Sequence, residues 1–338
     1  MINVGIAGAT GYTGEELISI LLKHPEVRIA NVSSSSDRLK PISEIIPKFS
    51  GRIGLMCNKL NVDSLIKDCD LIFLALPHTV SMEIVPKLLL AGKRVIDLSA
   101  DYRFKDTGIY EQYYRVSHKD SSNLKAAVYG LPELYRQKIK SARLVANPGC
   151  YPTAAILGLA PVIAINSIDT GSIIIDAKSG VSGAGKKLSP EYLFSEITDD
   201  FRAYKVNAHQ HAPEIIQVLS NLSRKKIRLI FVPHLLPLKR GILETIYIRT
   251  KNAKKITQDL LSLYRKFYQK EPFVRVKEEG VYPSLKDVAG TNFCDIGIKA
   301  DGDTVIIIAA IDNLLKGASG QAVQNLNIMY KFPERTAL

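Results

Sequence analysis

The chain has 338 residues, 46% hydrophobic and 23% charged, the balance of an ordinary globular protein with length enough for two domains. No apolar run approaches a membrane span, and the strand-like start Met1-Ile2-Asn3-Val4-Gly5 leaves no room for a signal peptide, so a cytoplasmic protein is expected. The four cysteines are scattered without a Cys-x-x-Cys pair, which argues against a disulfide framework and a zinc site, and the net charge of +12 comes with no nucleic-acid recognition motif.

Ile2 to Ala7 reads as a strand, Gly8-Ala9-Thr10-Gly11-Tyr12-Thr13-Gly14 as a turn, and Leu17, Ile18, Leu21 and Leu22 follow at helical spacing. Three glycines between a strand and a helix let the backbone approach a pyrophosphate, whose charge then faces the helix N-terminus. The spacing is G-x-x-G-x-x-G rather than the commoner G-x-G-x-x-G. A second strand, Val27 to Val32, ends in Ser33-Ser34-Ser35-Ser36-Asp37-Arg38. Serines with an arginine suit a ribose 2′-phosphate, where an acid directly at the strand end suits a 2′-hydroxyl, so the expected cofactor is NADP. Strands at Asp70 to Leu76 and Arg94 to Ser99, with a helix at Val80 to Ala91, continue a doubly wound α/β pattern. Pro77 follows the first of them, at the carboxyl edge where such sheets bind ligands. The cofactor contacts expected here are Gly8, Thr10, Gly11, Tyr12, Thr13, Gly14, Ser34, Ser35, Ser36, Arg38 and Pro77.

Asn147-Pro148-Gly149-Cys150-Tyr151-Pro152-Thr153 places a cysteine at the mouth of a helix. The unpaired N–H groups there favour a thiolate, so Cys150 is a candidate nucleophile, and the apolar run behind it would bury the helix. Beyond Cys150 the strands Ser172 to Lys178, Ile227 to Pro233, Gly241 to Thr250, Cys294 to Ala300 and Thr304 to Ile311 outnumber the helices Ala212 to Leu222 and Lys254 to Lys270. A mixed or largely antiparallel α+β domain with helices on one face is expected. A last helix, Asn313 to Tyr330, should return to the first domain. The expected organisation is a Rossmann-type dinucleotide-binding domain over 1–149, joined by 313–338, and a catalytic and oligomerisation domain over 150–312.

These pieces together resemble the N-acetyl-gamma-glutamyl-phosphate reductase family from Gly8 to about Gln324. The resemblance is carried by the Gly8 to Gly14 turn, Leu98-Ser99-Ala100-Asp101-Tyr102-Arg103, Tyr129-Gly130-Leu131-Pro132-Glu133 and Asn147 to Thr153. It continues through Asp176 to Gly185, His209-Gln210-His211-Ala212-Pro213-Glu214, Arg240-Gly241-Ile242-Leu243 and Asp312-Asn313-Leu314-Leu315-Lys316-Gly317. It implies NADPH-dependent reduction of an acyl phosphate to an aldehyde in arginine biosynthesis, and a second domain like that of glyceraldehyde-phosphate dehydrogenase. Gln210 departs from the arginine often found between the family's two histidines.

The resemblance implies a thioester on Cys150 and a histidine exchanging the proton. An extended segment would turn His209 and His211 to opposite faces, and His211, nearer the expected helix start, is favoured. Arg103 and Arg240 are the expected clamps on the substrate's carboxylate and phosphate. The Ser179 to Gly185 loop, with Ser182 and Lys186-Lys187, is expected to cradle the leaving phosphate through backbone N–H groups, and Asn313 to contact the nicotinamide end. No metal, nucleic acid or membrane partner is expected, and a homodimer or homotetramer is. Aspartate-semialdehyde dehydrogenase shares the chemistry but matches the motifs less well, and a reductase of the one-carbon-longer aminoadipyl phosphate is the chief rival for substrate. A nonenzymatic NADP-binding redox sensor switching on Cys150 would leave the paired histidines without a purpose.

Overall fold

The computed structural model describes the whole chain except residues 36–38, 187, 188 and 252 and the side chains of 253–259. Two compact units result, Met1–Pro148 with Ala318–Leu338, and Gly149–Gly317.

The first unit carries an eight-stranded sheet of β1 (Ile2–Ala7), β2 (Val27–Ser34), β3 (Lys40–Pro41), β4 (Met56–Lys59), β5 (Leu71–Leu74), β6 (Arg94–Asp97), β7 (Val128–Tyr129) and β8 (Leu144–Ala146), in the order β3-β4-β2-β1-β5-β6-β8-β7. Every pairing is parallel except β3 with β4. Parallel strands are covered on both faces, which explains why Leu71, Ile72, Phe73 and Leu74 are apolar and buried without alternation. One core cluster runs from Ile72, Leu74 and Val95 to Val85 and Leu88 of the helix Ser81–Leu90, and on to Tyr102, Phe104 and Tyr110. Three helices absent from the sequence reading, Thr107–Tyr114, Ser121–Ala126 and Pro132–Ser141, fill the stretch between β6 and β8. The C-terminal return begins later than expected: Leu315–Ser319 is a π-helical turn and the α-helix covers Gly320–Met329, every residue of it buried. From that helix Asn325 donates to the Gly130 carbonyl (2.9 Å) and to Asn147 Oδ1 (3.1 Å).

The second unit carries β9 (Ile173–Gly180), β10 (Arg202–Ala203), β11 (Leu229–Leu236), β12 (Ile242–Arg249), β13 (Val274–Val276), β14 (Cys294–Asp301) and β15 (Thr304–Ile311), ordered β10-β11-β9-β12-β15-β14-β13. The sheet is mixed and largely antiparallel, with β11–β9 and β13–β14 the parallel pairs. The helix Cys150–Ile163 lies on it: a Cβ added at Gly158 would stand 3.1 Å from Ile246 and 3.3 Å from Ile307, so glycine lets helix and sheet approach. Residues 313–317, expected in the first unit, belong to the second because Asp312 Oδ1 accepts the N–H groups of Leu314 (2.9 Å) and Leu315 (3.2 Å), tying that turn to the end of β15.

Candidate active site

In the first unit the glycine turn is built as its sequence requires. Gly8 has φ +86°, a conformation glycine adopts freely, and a Cβ there would lie 2.1 Å from the Ala75 carbonyl oxygen; one on Gly14 would strike the Gly8 oxygen at 2.3 Å. Gly11, the N-cap of the helix Tyr12–Leu21, offers no side chain to occupy the first-turn N–H groups. A Cβ at Gly11 would meet only the Gly8 oxygen, at 3.5 Å, so bare backbone faces open space there, as a pyrophosphate needs. Gly8 and Ala9 both donate to the Ser33 carbonyl at 2.9 Å, which sets the end of β2 beside the turn. Ser34 is buried and Ser35 exposed, while Ser36 and Arg38 lie outside the described residues. Pro77 is exposed beyond β5. Arg103, expected on substrate, is 5% exposed and donates from Nε to the Asn147 carbonyl and from Nη2 to the Leu98 carbonyl, both at 2.8 Å. A guanidinium engaged with main-chain carbonyls presents no open fork, so its place is to fix the ends of β6 and β8.

In the second unit Cys150 opens its helix, and it alone of the helix is not buried. Gly149 precedes it in extended conformation (φ −68°, ψ 157°) without a side-chain cap, and Pro152 falls in the first turn, where its missing N–H is no loss. Gly149 N–H donates to Glu214 Oε1 (2.9 Å), a fully buried carboxyl in the first turn of the helix Ala212–Ser223. A Cβ on Gly149 would stand 2.6 Å from Nε2 of His211, which puts the imidazole against the residue preceding Cys150. On the other side a Cβ at Gly317 would lie 2.8 Å from Cys150 Cβ, so the 312–317 turn also closes on the cysteine.

The two histidines do not face apart. The segment turns, with Lys205 and Asn207 at positive φ, His209 Nδ1 accepts the His211 N–H (3.1 Å), and the two rings sit 4.7 Å apart between centroids. His209 is 6% exposed and ringed by Tyr151, Tyr204 and Phe231. Burial first, and the charge of Lys205 second, push its pKa down to about 3, so it is neutral near pH 7. Burial also raises Tyr151 and Tyr204 above the ordinary phenol range; their hydroxyls are hydrogen-bonded at 3.0 Å. Gln210 accepts from Lys205 Nζ (3.2 Å).

Asn313 belongs to this unit rather than to the cofactor turn: its Oδ1 accepts from Gly241 N–H (2.7 Å) and its Nδ2 donates to Ser182 Oγ (3.0 Å). Both ends are used in joining two loops, so the expected nicotinamide contact is not what its side chain is placed for. The loop expected to offer N–H groups to phosphate has committed several of them: Gly180 donates to the Gly241 carbonyl (2.9 Å), Val181 to that of Leu238 (2.8 Å) and Ser182 to that of Lys239 (3.1 Å). Arg240 lies beside this loop, a quarter exposed, with Nε 3.2 Å from Oδ2 of the buried Asp312. Lys186 is exposed and Lys187 lies outside the described residues. Among the described residues no cluster of His, Cys, Asp and Glu is arranged to hold a metal, and no helix is long and apolar enough to cross a membrane.

Comparison with known proteins matches residues 3–142 to the semialdehyde dehydrogenase NAD-binding domain and 150–313 to the semialdehyde dehydrogenase dimerisation domain. The N-acetyl-gamma-glutamyl-phosphate reductase of Desulforamulus reducens is 50% identical over 340 residues, covering 100% of this chain and 98% of that protein, and that of Geobacter metallireducens is 50% identical over 341 residues with the same coverage. The chain belongs to the N-acetyl-gamma-glutamyl-phosphate reductase family. Among solved structures, aspartate semialdehyde dehydrogenase II of Vibrio cholerae shares the fold at a TM-score of 0.72 and 17% identity, over 98% of this chain and 99% of that one. The Candida albicans aspartate semialdehyde dehydrogenase with NADP does so at 0.73 and 15%, over 98% of each. Glu214 is the member of the site to which sequence reasoning assigns no role. Its signal is present, since it falls on the buried stripe of its helix with Ile215, Val218 and Leu219, and an acid on an apolar stripe needs a partner.

Proposed function

We propose that this chain reduces N-acetyl-gamma-glutamyl phosphate to N-acetylglutamate 5-semialdehyde with release of phosphate, using NADPH, in arginine biosynthesis. Membership of the reductase family supports the overall reaction, and the packing of the His211 ring against Gly149 carries the residue-level reading. Cys150, at the N-terminus of a buried helix that favours its thiolate, attacks the acyl carbon; the C–O bond to phosphate breaks and a thioester forms. NADPH, when bound on the Gly8–Gly14 turn, supplies a hydride to the thioester carbonyl carbon. His211 gives a proton to the resulting oxygen and takes it back as the thiohemiacetal collapses, so the aldehyde leaves and the Cys150 thiolate is restored. His209, buried and neutral, holds the His211 main chain through Nδ1. Arg240, a quarter exposed, is the group we assign to an anionic end of the substrate; Ser182, expected beside it, is buried, with its hydroxyl accepting from Asn313 and its N–H donating to the Lys239 carbonyl.

The serine-rich end of β2 without an acid at Ser33-Ser34-Ser35 supports NADP over NAD. The dimerisation-domain match supports a homo-oligomer, and Ile174 and Ile230, paired on β9 and β11 and 39% and 46% exposed, mark the sheet face we assign to it.

The test is Cys150→Ser, assayed as phosphate-dependent NADP reduction by N-acetylglutamate semialdehyde. Turnover should vanish while NADPH binding persists, because a hydroxyl is far less nucleophilic at neutral pH. A rate above about a hundredth of the unmodified enzyme, outside the usual range for a lost acid–base partner, would sink the covalent route.

A further inference from the structure

Thr79 is the sole β-branched residue at positive φ among the described residues, at +75°. Such a residue in the left-handed region is a genuine outlier, held only where its surroundings over-determine it. It sits in the turn that leaves β5 for the helix Ser81–Leu90, directly after the exposed Pro77 and His78.

What holds it comes from the turn after the neighbouring strand. Asp101, fully buried, accepts the Thr79 N–H (2.7 Å) and the Tyr110 hydroxyl (2.8 Å) on Oδ1, and the Met82 N–H (3.1 Å) on Oδ2. His78 Nδ1 accepts the Ala100 N–H (3.1 Å). Asp97, also fully buried, accepts the Ser81 hydroxyl (2.7 Å) on Oδ1 and the Ser99 hydroxyl (2.8 Å) on Oδ2. Strands β5 and β6 are parallel neighbours, Leu74 opposite Asp97, so both turns leave the same carboxyl edge of the sheet and are stitched together there. Behind them Tyr110 stacks on Tyr114 (4.8 Å) and takes the edge of His118 (5.0 Å). A buried, carboxylate-centred clasp therefore holds the strained, half-buried Thr79 directly behind the exposed Pro77 and His78. Ordinary stability does not call for strain there; presentation of the two exposed residues to a ligand at the carboxyl edge does.

We propose that Asp101 is a positioning residue of the cofactor site, holding Thr79 left-handed so that Pro77 and His78 are presented to the bound dinucleotide. The proposal rests on the reading that this unit binds NADPH.

The experiment uses the full chain and measures NADPH affinity by fluorescence, KM and kcat, and melting temperature, for the unmodified enzyme, Asp101→Asn, Thr79→Gly and the double variant. NADPH binding by the unmodified enzyme is the first arm; its absence ends the cofactor reading and this proposal with it. Given binding there, Asp101→Asn should weaken NADPH affinity and raise its KM by about tenfold, because the amide removes the charge that strengthens the bond to Thr79 and sets an NH2 donor against the Met82 N–H, with kcat within about twofold. Thr79→Gly should bind NADPH normally, because glycine takes φ +75° unaided. In the double variant it should restore most of the affinity that Asp101→Asn removes. Tyr110→Phe, which removes one bond to Oδ1 without touching the turn, should raise the NADPH KM in the same direction and serves if Asp101→Asn does not fold. Lowered melting with an unchanged NADPH KM in Asp101→Asn or Tyr110→Phe, or no rescue by glycine, overturns the proposal while leaving NADPH binding by the chain intact.

Discussion

Gly149→Ala tests the geometry of the proposed nucleophile Cys150 and its proposed acid–base partner His211 with one methyl group. The new Cβ would lie 2.6 Å from His211 Nε2 and 2.9 Å from Cδ2 and Cε1, where ordinary contact begins at 3.4 Å, so the ring must retreat by 3.4 − 2.6 = 0.8 Å. It cannot simply swing away, because Tyr151 and His209 pack on it with centroids at 5.9 and 4.7 Å. Alanine strains nothing else: φ is −68° and the Gly149 N–H to Glu214 bond is untouched. A displacement near 1 Å of a reacting group costs about a hundredfold in rate, so kcat should fall by about that factor while NADPH binding is kept. The assay is steady-state turnover beside a melting curve and NADPH titration. A folded Gly149→Ala enzyme with more than half the original kcat, or a loss traced entirely to weaker cofactor binding, would show that His211 does not act from this position.

Two further outcomes follow from buried groups. His209, lowered from 6.5 to about 3, contributes stability that is present above the unfolded pKa and lost as pH falls through that window, because only the unfolded chain takes up the proton there. His209→Gln should therefore lose less stability between pH 7 and pH 5 than the unmodified chain, by about 2 kcal/mol, in urea unfolding; an unchanged pH dependence contradicts a neutral, buried imidazole. Tyr268 donates to the Leu157 carbonyl (2.5 Å), whose helical donor four residues on would be Pro161 and is missing. Tyr268→Phe should cost about 1–3 kcal/mol by leaving that carbonyl unsatisfied. Tyr264→Phe, which withdraws a donor from Gly158, should cost less because Val162 still carries an N–H, and equal losses of melting temperature would refute the distinction.

Two elements of the candidate site were legible because they are local. The Gly8–Gly14 turn and the Cys150 helix follow from glycine spacing and apolar runs within about fifteen residues, and the structure builds both where they were expected. Arg103, Asn313 and the histidine pair were not legible, for a shared reason. Whether a polar side chain faces ligand or main chain is decided by partners distant in sequence: Asn147 for Arg103, Gly241 and Ser182 for Asn313. The placement of His209 beside His211 follows a turn with left-handed residues at Lys205 and Asn207; Asn207 is a residue type that tolerates this conformation, whereas nothing local announces it at Lys205. The helices between β6 and β8 show no apolar stripe because they bury so little: Tyr110 alone in the first, Leu124 alone in the second, and Pro132, Glu133 and Ile139 in the third, although Asp106 and Asp120 cap the first two.

A second set of long-range partners holds Cys150 in position while leaving it reachable. With Cys150 as the proposed nucleophile at its first residue, the helix would transmit any slide or tilt of its body to the sulfur, and a misplacement on the ångström scale is costly to catalysis. This helix is fixed along its whole length: Gly158 brings it onto β12 and β15, Tyr264 and Tyr268 hold its carbonyls, and Glu214 holds the residue before the cysteine. Pro161 fits this arrangement, since the carbonyl it orphans becomes an anchor point for Tyr268. With thirteen of the helix's fourteen residues buried and Cys150 half-buried, the accessibility that the proposed substrate attack requires is confined to one residue at the helix mouth.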